Sequence, residues 1–401
     1  MASVKYFPLS SRSPSTGVKQ PKEIASFSRN IKQEYENNDS CLSYYYFPDQ
    51  EVEKPANVDL SHGFQKFKKM DETKDGDLDG LLKAIIAYEK KYNAVIPKID
   101  IITFRGLMRK ILTIPYGNES FDFNLLCFDN QLFIKSDKES DMKRNELEQK
   151  RMQKRINKSH GKKISNLSEK FVYSGYKFET LTTLNKPWSK CSRDEIEKRY
   201  KKEVNNIEQY AVVVKTGIGK NKMLLCGEVD CVFDYKPQAS DFDEDNPLTH
   251  YVELKTSKTI NDISAYNTFR KKLFKAWAQC FLIGIPKIIY GFRDDQLKLK
   301  AVEMFKTEDV PVLIKADPQE RGNQISCIDA IKWYGAAIEW IWANIDVKNE
   351  KTVWRLSYNF ENKTFSLREL PEEKSSEIIN NYEILTKEFV DWRLQLRSNQ
   401  N

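Results

Sequence analysis

Two apolar segments separated by an acidic stretch constrain this chain more than anything else in it. The first begins at Leu224 and reads LLCGEVDCVFDY; the second reads HYVELKTSK and ends at Lys258. Each carries charged residues two positions apart, Glu228 and Asp230 in one, Glu253 and Lys255 in the other. Side chains alternate faces along a strand, so each pair projects to one side while Val229 and Leu254 point the opposite way. The pattern predicts three carboxylates and one ammonium on a common sheet face. Such charges among Leu, Val, Cys and Phe are costly to bury unless compensated, and a divalent cation compensates them directly. A metal site is the expectation.

The rest of the composition narrows the chemistry. Only three histidines occur, His62, His160 and His250, which argues against a zinc hydrolase or a histidine-driven nuclease. Seven cysteines lie far apart, and the closest pair, Cys226 and Cys231, has neither zinc-ribbon nor redox spacing; they read as small buried residues in a reducing compartment. Charged residues reach 31%, with 65 basic against 58 acidic and a net charge of +7, a balance that permits a basic groove beside an acidic pocket. No apolar run approaches a membrane span and the N-terminus lacks the core of a secretory signal, so the expected site of action is intracellular, with no membrane partner.

Strand and helix patterns interleave along all 401 residues without a repeat or a long linker, which predicts one mixed α/β domain, 1–401. Residues 1–40 read as a polar surface arm, anchored by Tyr44, Tyr45, Tyr46, Phe47 and Pro48. Leu78 to Tyr92 has a helical apolar face, and IDIITFRGLMRKILTIPY reads as a strand leading into a helix with Arg105 at the junction. A basic residue there opposes the helix dipole and calls for an anionic partner, either a neighbouring carboxylate or a phosphate. Residues 123–135 form a hairpin pattern around a DN turn. Residues 136–166 are dense in charge and read as a solvated helix or mobile segment. KFVYSGYKFETL reads as a strand placing Glu179 at its end, with further strands at Tyr210–Thr216, Met223–Tyr235 and Tyr251–Thr256. The acidic ASDFDEDNPLT stretch between the last two reads as a surface loop. A helix over Ala265–Ile283 puts Lys272, Lys275 and Gln279 on one ridge, positioned to offer donors to the carboxylates. Strands in PKIIYGF and LKLKAVEMF, a helix over Ile325–Ile345, a hairpin in WRLSYNFENKTFSLREL and a helix from Ser375 to Leu396 complete the pattern. Trp333, Tyr334, Trp340 and Trp342 sit at helical spacing and are expected mainly in the core.

Oxygen ligands without His or Cys select a hard cation, Mg²⁺ or Mn²⁺. Phosphate esters are the natural substrates of such ions, and Lys255 would orient water or hold a phosphoryl oxygen. The bland alternative is that E-x-D and E-x-K form cross-strand ion pairs, since either motif arises easily in so charged a chain.

The motifs GYKFE (175–179), GEVD (227–230), VELK (252–255), FRG (104–106) and KAWAQCFLIGIPKIIYGFRDD (275–295) occur in that set with KQPKEIASFSR, VDLSHGFQKF, IKWYG and EFVDWR. Together they resemble the DXO family of RNA 5′-end decapping nucleases across nearly the whole chain. Within that family the chain is most similar to the fungal nuclear member that partners the nuclear 5′→3′ exoribonuclease. The resemblance implies a PD-(D/E)xK-related fold, with two twisted sheets flanking a metal-containing cleft and helices outside. It implies Glu179, Asp230 and Glu253 as metal ligands with the Leu254 carbonyl, and Glu228 as ligand to a second ion or its water. Lys255 and Gln279 would meet the scissile phosphate or nucleophile, and Arg105 the RNA 5′-end. One or two Mg²⁺ or Mn²⁺ ions are implied, as is nuclear localisation.

The implied activity is hydrolysis of defective RNA 5′-ends (triphosphate, incompletely methylated cap, NAD cap), leaving 5′-monophosphate RNA for the exoribonuclease, with the chain otherwise monomeric. Two other readings stand beside it: a non-catalytic stabilising subunit of the exoribonuclease, and a DNA-processing nuclease of the same fold.

Overall fold

The alternating patterns fold into two sheets, described by a computed structural model over residues 4–15, 17–47, 58–71, 78–159, 167–241, 244–315 and 324–400. In chain order the strands are β1 (Lys5–Phe7), β2 (Val18–Arg29), β3 (Tyr35–Glu36), β4 (Tyr44–Tyr45), β5 (Ile101–Phe104), β6 (Phe121–Phe128), β7 (Gln131–Ser136), β8 (Thr183–Leu184), β9 (Gln209–Ile218), β10 (Asn221–Glu228), β11 (Cys231–Val232), β12 (Tyr251–Lys258), β13 (Lys287–Arg293), β14 (Leu299–Lys306), β15 (Val353–Asn359) and β16 (Thr364–Glu369). The helices are α1 (Asp79–Tyr92), α2 (Arg105–Leu112), α3 (Lys138–Ser159), α4 (Leu167–Leu181), α5 (Arg193–Lys198), α6 (Ile263–Ile283), α7 (Val310–Leu313), α8 (Cys327–Ala343), α9 (Glu372–Asn380) and α10 (Lys387–Gln400).

The ten-stranded sheet runs β1-β16-β15-β6-β7-β5-β10-β9-β2-β3 and the six-stranded sheet β14-β13-β12-β11-β4-β8. Period-2 alternation splits the larger sheet between two cores. Ile101, Met223, Leu225, Val212 and Val214 face α2, α6 and α8 on one side, while Ile102, Leu224, Cys226 and Val213 face α1 and α10 on the other. Helix α6 also packs Phe269 against Tyr290 and Phe292 of β13, so α2 and α6 lie between the sheets rather than outside them. Helix α4 covers the outer face of the smaller sheet, with Phe178 and Leu181 against Leu254 and Ile289. The ring of Phe178 lies where a Cβ on Gly291 would stand, 2.6 Å away, so this glycine lets α4 approach the sheet closely.

Several expectations are revised. KFVYSGYKFETL is not a strand but most of α4. Its buried positions, Tyr173, Ser174, Lys177, Phe178 and Leu181, follow the 3.6-residue period, which the aromatic alternation obscured. Within 1–40, Val18–Arg29 is a twelve-residue strand paired along β9. The residues are extended, as expected, but are built into the large sheet rather than lying over its surface. Pro21 falls at a register shift between Lys19 and Lys22, where the missing N–H is tolerated. Residues 138–159 of the charged segment are helical, and 160–166 lie outside the described residues, as do Pro48 and residues 242–243 of the acidic loop. The single terminal helix is two, α9 and α10, separated around Tyr382 at φ 55°.

Other expectations are met. The DN turn places Asp129 and Asn130 at φ 53° and 58°, the left-handed pair that a two-residue hairpin loop needs. Trp333 and Tyr334 are buried, and Trp340 and Trp342 pack against the same core. Five of the seven cysteines are buried, as expected, while Cys41 and Cys191 are half-buried.

Candidate active site

The charged residues meet where the chain crosses from one sheet to the other. Strand β10 ends at Glu228 in the large sheet, Val229 donates its N–H to the Tyr210 carbonyl at 2.9 Å, and the chain enters the smaller sheet at Cys231. Asp230 therefore sits in the crossing. It is not on a strand face shared with Glu228, as the alternation predicted. Its Oδ2 accepts the Leu254 N–H at 2.5 Å, which ties the crossing to β12. Glu253 and Lys255 do share a face of β12, and the ammonium donates to Glu253 Oε1 and stands 4.0 Å from Asp230 Oδ2.

Arg105 enters from the large sheet. Strand β5 lies parallel to β10, with Phe104 opposite Cys226, so the first residue of α2 projects over Gly227. A Cβ on Gly227 would meet the Arg105 side chain at 3.2 Å and Ile283 at 2.8 Å; the glycine of GEVD makes room for the guanidinium. Of the two anionic partners open for Arg105, a carboxylate or a phosphate, the structure shows a carboxylate, Glu253, whose Oε2 accepts from it at 3.0 Å while both groups are buried. Glu179 arrives from the last turn of α4, so the acids come from one helix, two strands of different sheets and the crossing between them. Gln279 is half-buried on α6, beside Cys280, which lies in the field of Glu253 and Arg105. The expected ridge is divided: Lys275 is bound to Glu119 at 2.6 Å and Lys272 to the Ser257 hydroxyl at 3.3 Å.

Glu179, Glu228 and Asp230 line one cavity, close enough for their charges to act on one another. Burial, then the neighbouring Asp230, pushes Glu179 well above the usual carboxylate range. Burial and Glu253 push Asp230 up to about 7, against the pull of Lys255. Burial also raises Glu228, although its side chain opens toward solvent at the cleft wall. Glu253 goes the other way: burial would raise it, but Arg105 and Lys255 outweigh burial and hold it at about 2. Burial alone would lower Lys255, and Glu253 with Asp230 reverses that, leaving the ammonium firmly protonated. Fully ionised, four carboxylates face two cations, an excess of two negative charges that equals the charge of one divalent ion.

A cavity of about 320 Å³ opens over Glu179, Glu228 and Asp230, and another of about 270 Å³ runs from Glu228 past Arg105 to Phe27, Tyr35 and Phe104. Glu228 thus lies on the wall between them. A bigger cavity, about 1070 Å³, lies along the other side of α4 at Lys177 and Leu181 and touches none of the four acids. Among the described residues no three His, Cys, Asp or Glu side chains are already closed into a metal-holding cluster. Arg105 and Lys255 engage Glu253, and the Leu254 N–H engages an oxygen of Asp230. The donors are all oxygen and carry surplus charge, so they fit a hard cation.

His62 and His250 play no part here. His250 is held by Asp234 at 2.7 Å and Asp245 at 2.9 Å, which folds the acidic loop back on β12, and His160 lies outside the described residues.

A family model for RAI1-like PD-(D/E)XK nucleases matches residues 19–390. The chain belongs to that family. It is 46% identical to the decapping nuclease RAI1 of Candida albicans over 98% of this chain and 99% of the relative. The RAI1-type fold is matched by the crystal structure of Candida albicans Rai1 in complex with pU5–Mn²⁺, with a TM-score of 0.90, 45% identity and coverage of 98% and 100%. Scheffersomyces stipitis Rai1 in complex with (3′-NADP)⁺ and calcium superposes with a TM-score of 0.88, 44% identity and the same coverage, 98% and 100%.

Proposed function

We propose that this chain is a divalent-metal-dependent hydrolase that removes aberrant 5′-ends from RNA and leaves a 5′-monophosphate. The observation that carries the reading is the surplus of carboxylate around one protonated lysine, at a cleft between two sheets. Its support from similarity is membership of a family whose curated relatives are named decapping nucleases and whose solved members hold pU5 with Mn²⁺, or a dinucleotide with calcium.

Glu179, Asp230 and Glu253, with the Leu254 carbonyl, would hold the cation, and Glu228 a second ion or its water. The bound ion, Mg²⁺ or Mn²⁺, supplies charge neutralisation and a more acidic water. Lys255, protonated, donates to a phosphoryl oxygen. Arg105 holds the 5′-end, bidentate donors in a dry setting being suited to phosphate. Gln279 orients the nucleophile. On triphosphate-ended RNA, water adds to the α-phosphorus, the bridging P–O bond breaks, and the oxygen leaves with pyrophosphate. For incomplete and NAD caps, water likewise adds to the phosphorus that stays on the RNA, the P–O bond toward the cap breaks, and the cap moiety leaves on that oxygen, so that a 5′-monophosphate remains. Replacing Asp230→Ala or Glu179→Ala is expected to lower the rate on triphosphate-ended RNA about a hundredfold or more; full activity in a folded variant contradicts the assignment.

The 5′-monophosphate product is the end a 5′→3′ exoribonuclease consumes. A nuclear exoribonuclease as partner, and nuclear residence, follow as part of this proposal from the motif resemblance. Co-purification and fluorescence localisation test them.

A further inference from the structure

Glu253 and Lys255 belong to the smaller sheet and Glu228 to the larger one, so the cleft depends on how the two sheets are held together. Tyr251, the first residue of β12, lies two positions before Glu253 and therefore on the same face of the strand. Its side chain is buried and reaches across to the large sheet. There its hydroxyl donates to Glu23 Oε2 at 3.0 Å and lies 3.5 Å from the hydroxyl of Tyr210. Glu23 is on β2 and Tyr210 on β9, so one side chain of the smaller sheet is gripped by two strands of the larger one.

Local irregularity builds this contact. Glu23 pairs with Val214 and Ala25 with Val213, which leaves Ile24 as an extra residue; such a bulge re-aims a side chain, and here it turns a carboxylate inward. Tyr210 serves the site twice. Its carbonyl accepts the Val229 N–H in the crossing between Glu228 and Asp230, and the residue lines the cavity over Glu179, Glu228 and Asp230. Its hydroxyl accepts from Lys236 at 2.6 Å, and Lys236 is held in turn by Asp39 at 2.8 Å. The Tyr210 proton is thus free to face Tyr251, and the bonds run donor to acceptor from Lys236 through Tyr210 and Tyr251 to Glu23. The links between the sheets described above, Arg105 to Glu253 and Asp230 to Leu254, consist of groups the reaction uses. This one does not.

We infer that Tyr251 is a positioning residue for the hydrolytic site: its hydroxyl, fixed by Glu23 and Tyr210, sets β12 against the large sheet and so places Glu253 and Lys255 relative to Glu228 and Asp230. Tyr251 touches neither substrate nor ion and acts through the strand that carries Glu253 and Lys255. A buried polar network whose members are satisfied fixes one arrangement of the elements it joins. An ion shared by ligands from two sheets is sensitive to that arrangement, because its ligand distances hold to about 0.2 Å. The role rests on the metal-dependent reading above and extends it to a buried network that the chemistry leaves unused.

The test is Tyr251→Phe in the full chain, which removes the hydroxyl and keeps the ring. Calorimetric titration with Mn²⁺ alone should give a Kd about tenfold above wild type, and kcat on triphosphate-ended RNA should fall by a similar factor. Glu23→Gln keeps an oxygen that accepts from Tyr251 and should hold both values within about twofold, whereas Glu23→Leu should match Tyr251→Phe. A purely structural role gives a lower unfolding midpoint with Mn²⁺ affinity and kcat per folded molecule unchanged, and that result in Tyr251→Phe overturns the inference. Equal values in Glu23→Gln and Glu23→Leu also overturn it, and this pair decides the question if Tyr251→Phe does not fold. A wild-type chain that binds Mn²⁺ but leaves triphosphate-ended RNA intact overturns the RNA reading instead, while the Mn²⁺ comparison still tests Tyr251.

Discussion

Glu89 and Glu253 are both almost wholly removed from water, yet their surroundings differ in kind. Glu89, on α1, accepts from Arg393 Nε at 2.8 Å and Nη2 at 2.7 Å, from Trp392 Nε1 at 3.0 Å and from the Ile96 N–H at 3.1 Å. Arg393 in turn reaches Asp129 at 3.1 Å and Gln131 at 3.0 Å, which clamps α10 to α1 and to the β6–β7 turn. Each buried charge there has its opposite. Around Glu253 the count fails: Glu179, Glu228 and Asp230 crowd the same cleft, and Arg105 and Lys255 are too few to balance them. Both clusters include residues of family-like motifs, but a balanced one holds the fold and an unbalanced one waits for a ligand.

That contrast can be broken by substitution. Glu89→Ala strands the Arg393 guanidinium in the core and should cost about 3–5 kcal/mol in denaturant unfolding, while activity per folded molecule is retained. Asp230→Ala should do the opposite, losing about a hundredfold or more in activity with little loss of stability. A third buried acid sharpens the comparison. Glu23 accepts from the Tyr251 hydroxyl at 3.0 Å, while the nearest ammonium, Lys236, is engaged by Tyr210 at 2.6 Å and Asp39 at 2.8 Å. Burial therefore pushes Glu23 to about 7 from 4.5. Because the folded value is the higher one, this stability is full below about pH 4.5 and is lost as pH rises through about 7. Glu23→Gln should flatten that part of the pH–stability profile and stabilise the chain at pH 8 by about 1–3 kcal/mol. The smallest effect is expected for Asp230→Asn without metal. Removing one surplus anion should raise stability by about 0–1 kcal/mol, where an equivalent change at Glu89 lowers it.

The acid cluster was legible because its residues are abnormal in their context: charges two apart within strongly apolar strands. Which surface they share was not, since nothing in GEVD marks the point where the chain leaves one sheet for another between Glu228 and Asp230. Glu179 was found by motif but placed on the wrong element, because Phe171, Tyr173 and Phe178 fit a strand nearly as well as a helix face. Strand β2 escaped notice because its first five residues, Val18–Lys22, are half-buried or exposed, so Lys and Pro dominate its pattern. The pairing of Arg105 with Glu253, 148 residues away, and the dispersal of Lys272 and Lys275 to Ser257 and Glu119, depend on how the two sheets meet around α6. The clamp at Glu89 had no local signal, since its partner lies 304 residues on.

The central claim is that surplus carboxylate at the cleft is there to hold a divalent ion, and thermal unfolding with and without Mn²⁺ measures it without recourse to activity. Saturating Mn²⁺ at about 100 times its Kd should stabilise the wild-type chain by about 2.7 kcal/mol, and should leave Asp230→Ala where it was. Equal shifts in both proteins, or none in either, would contradict it.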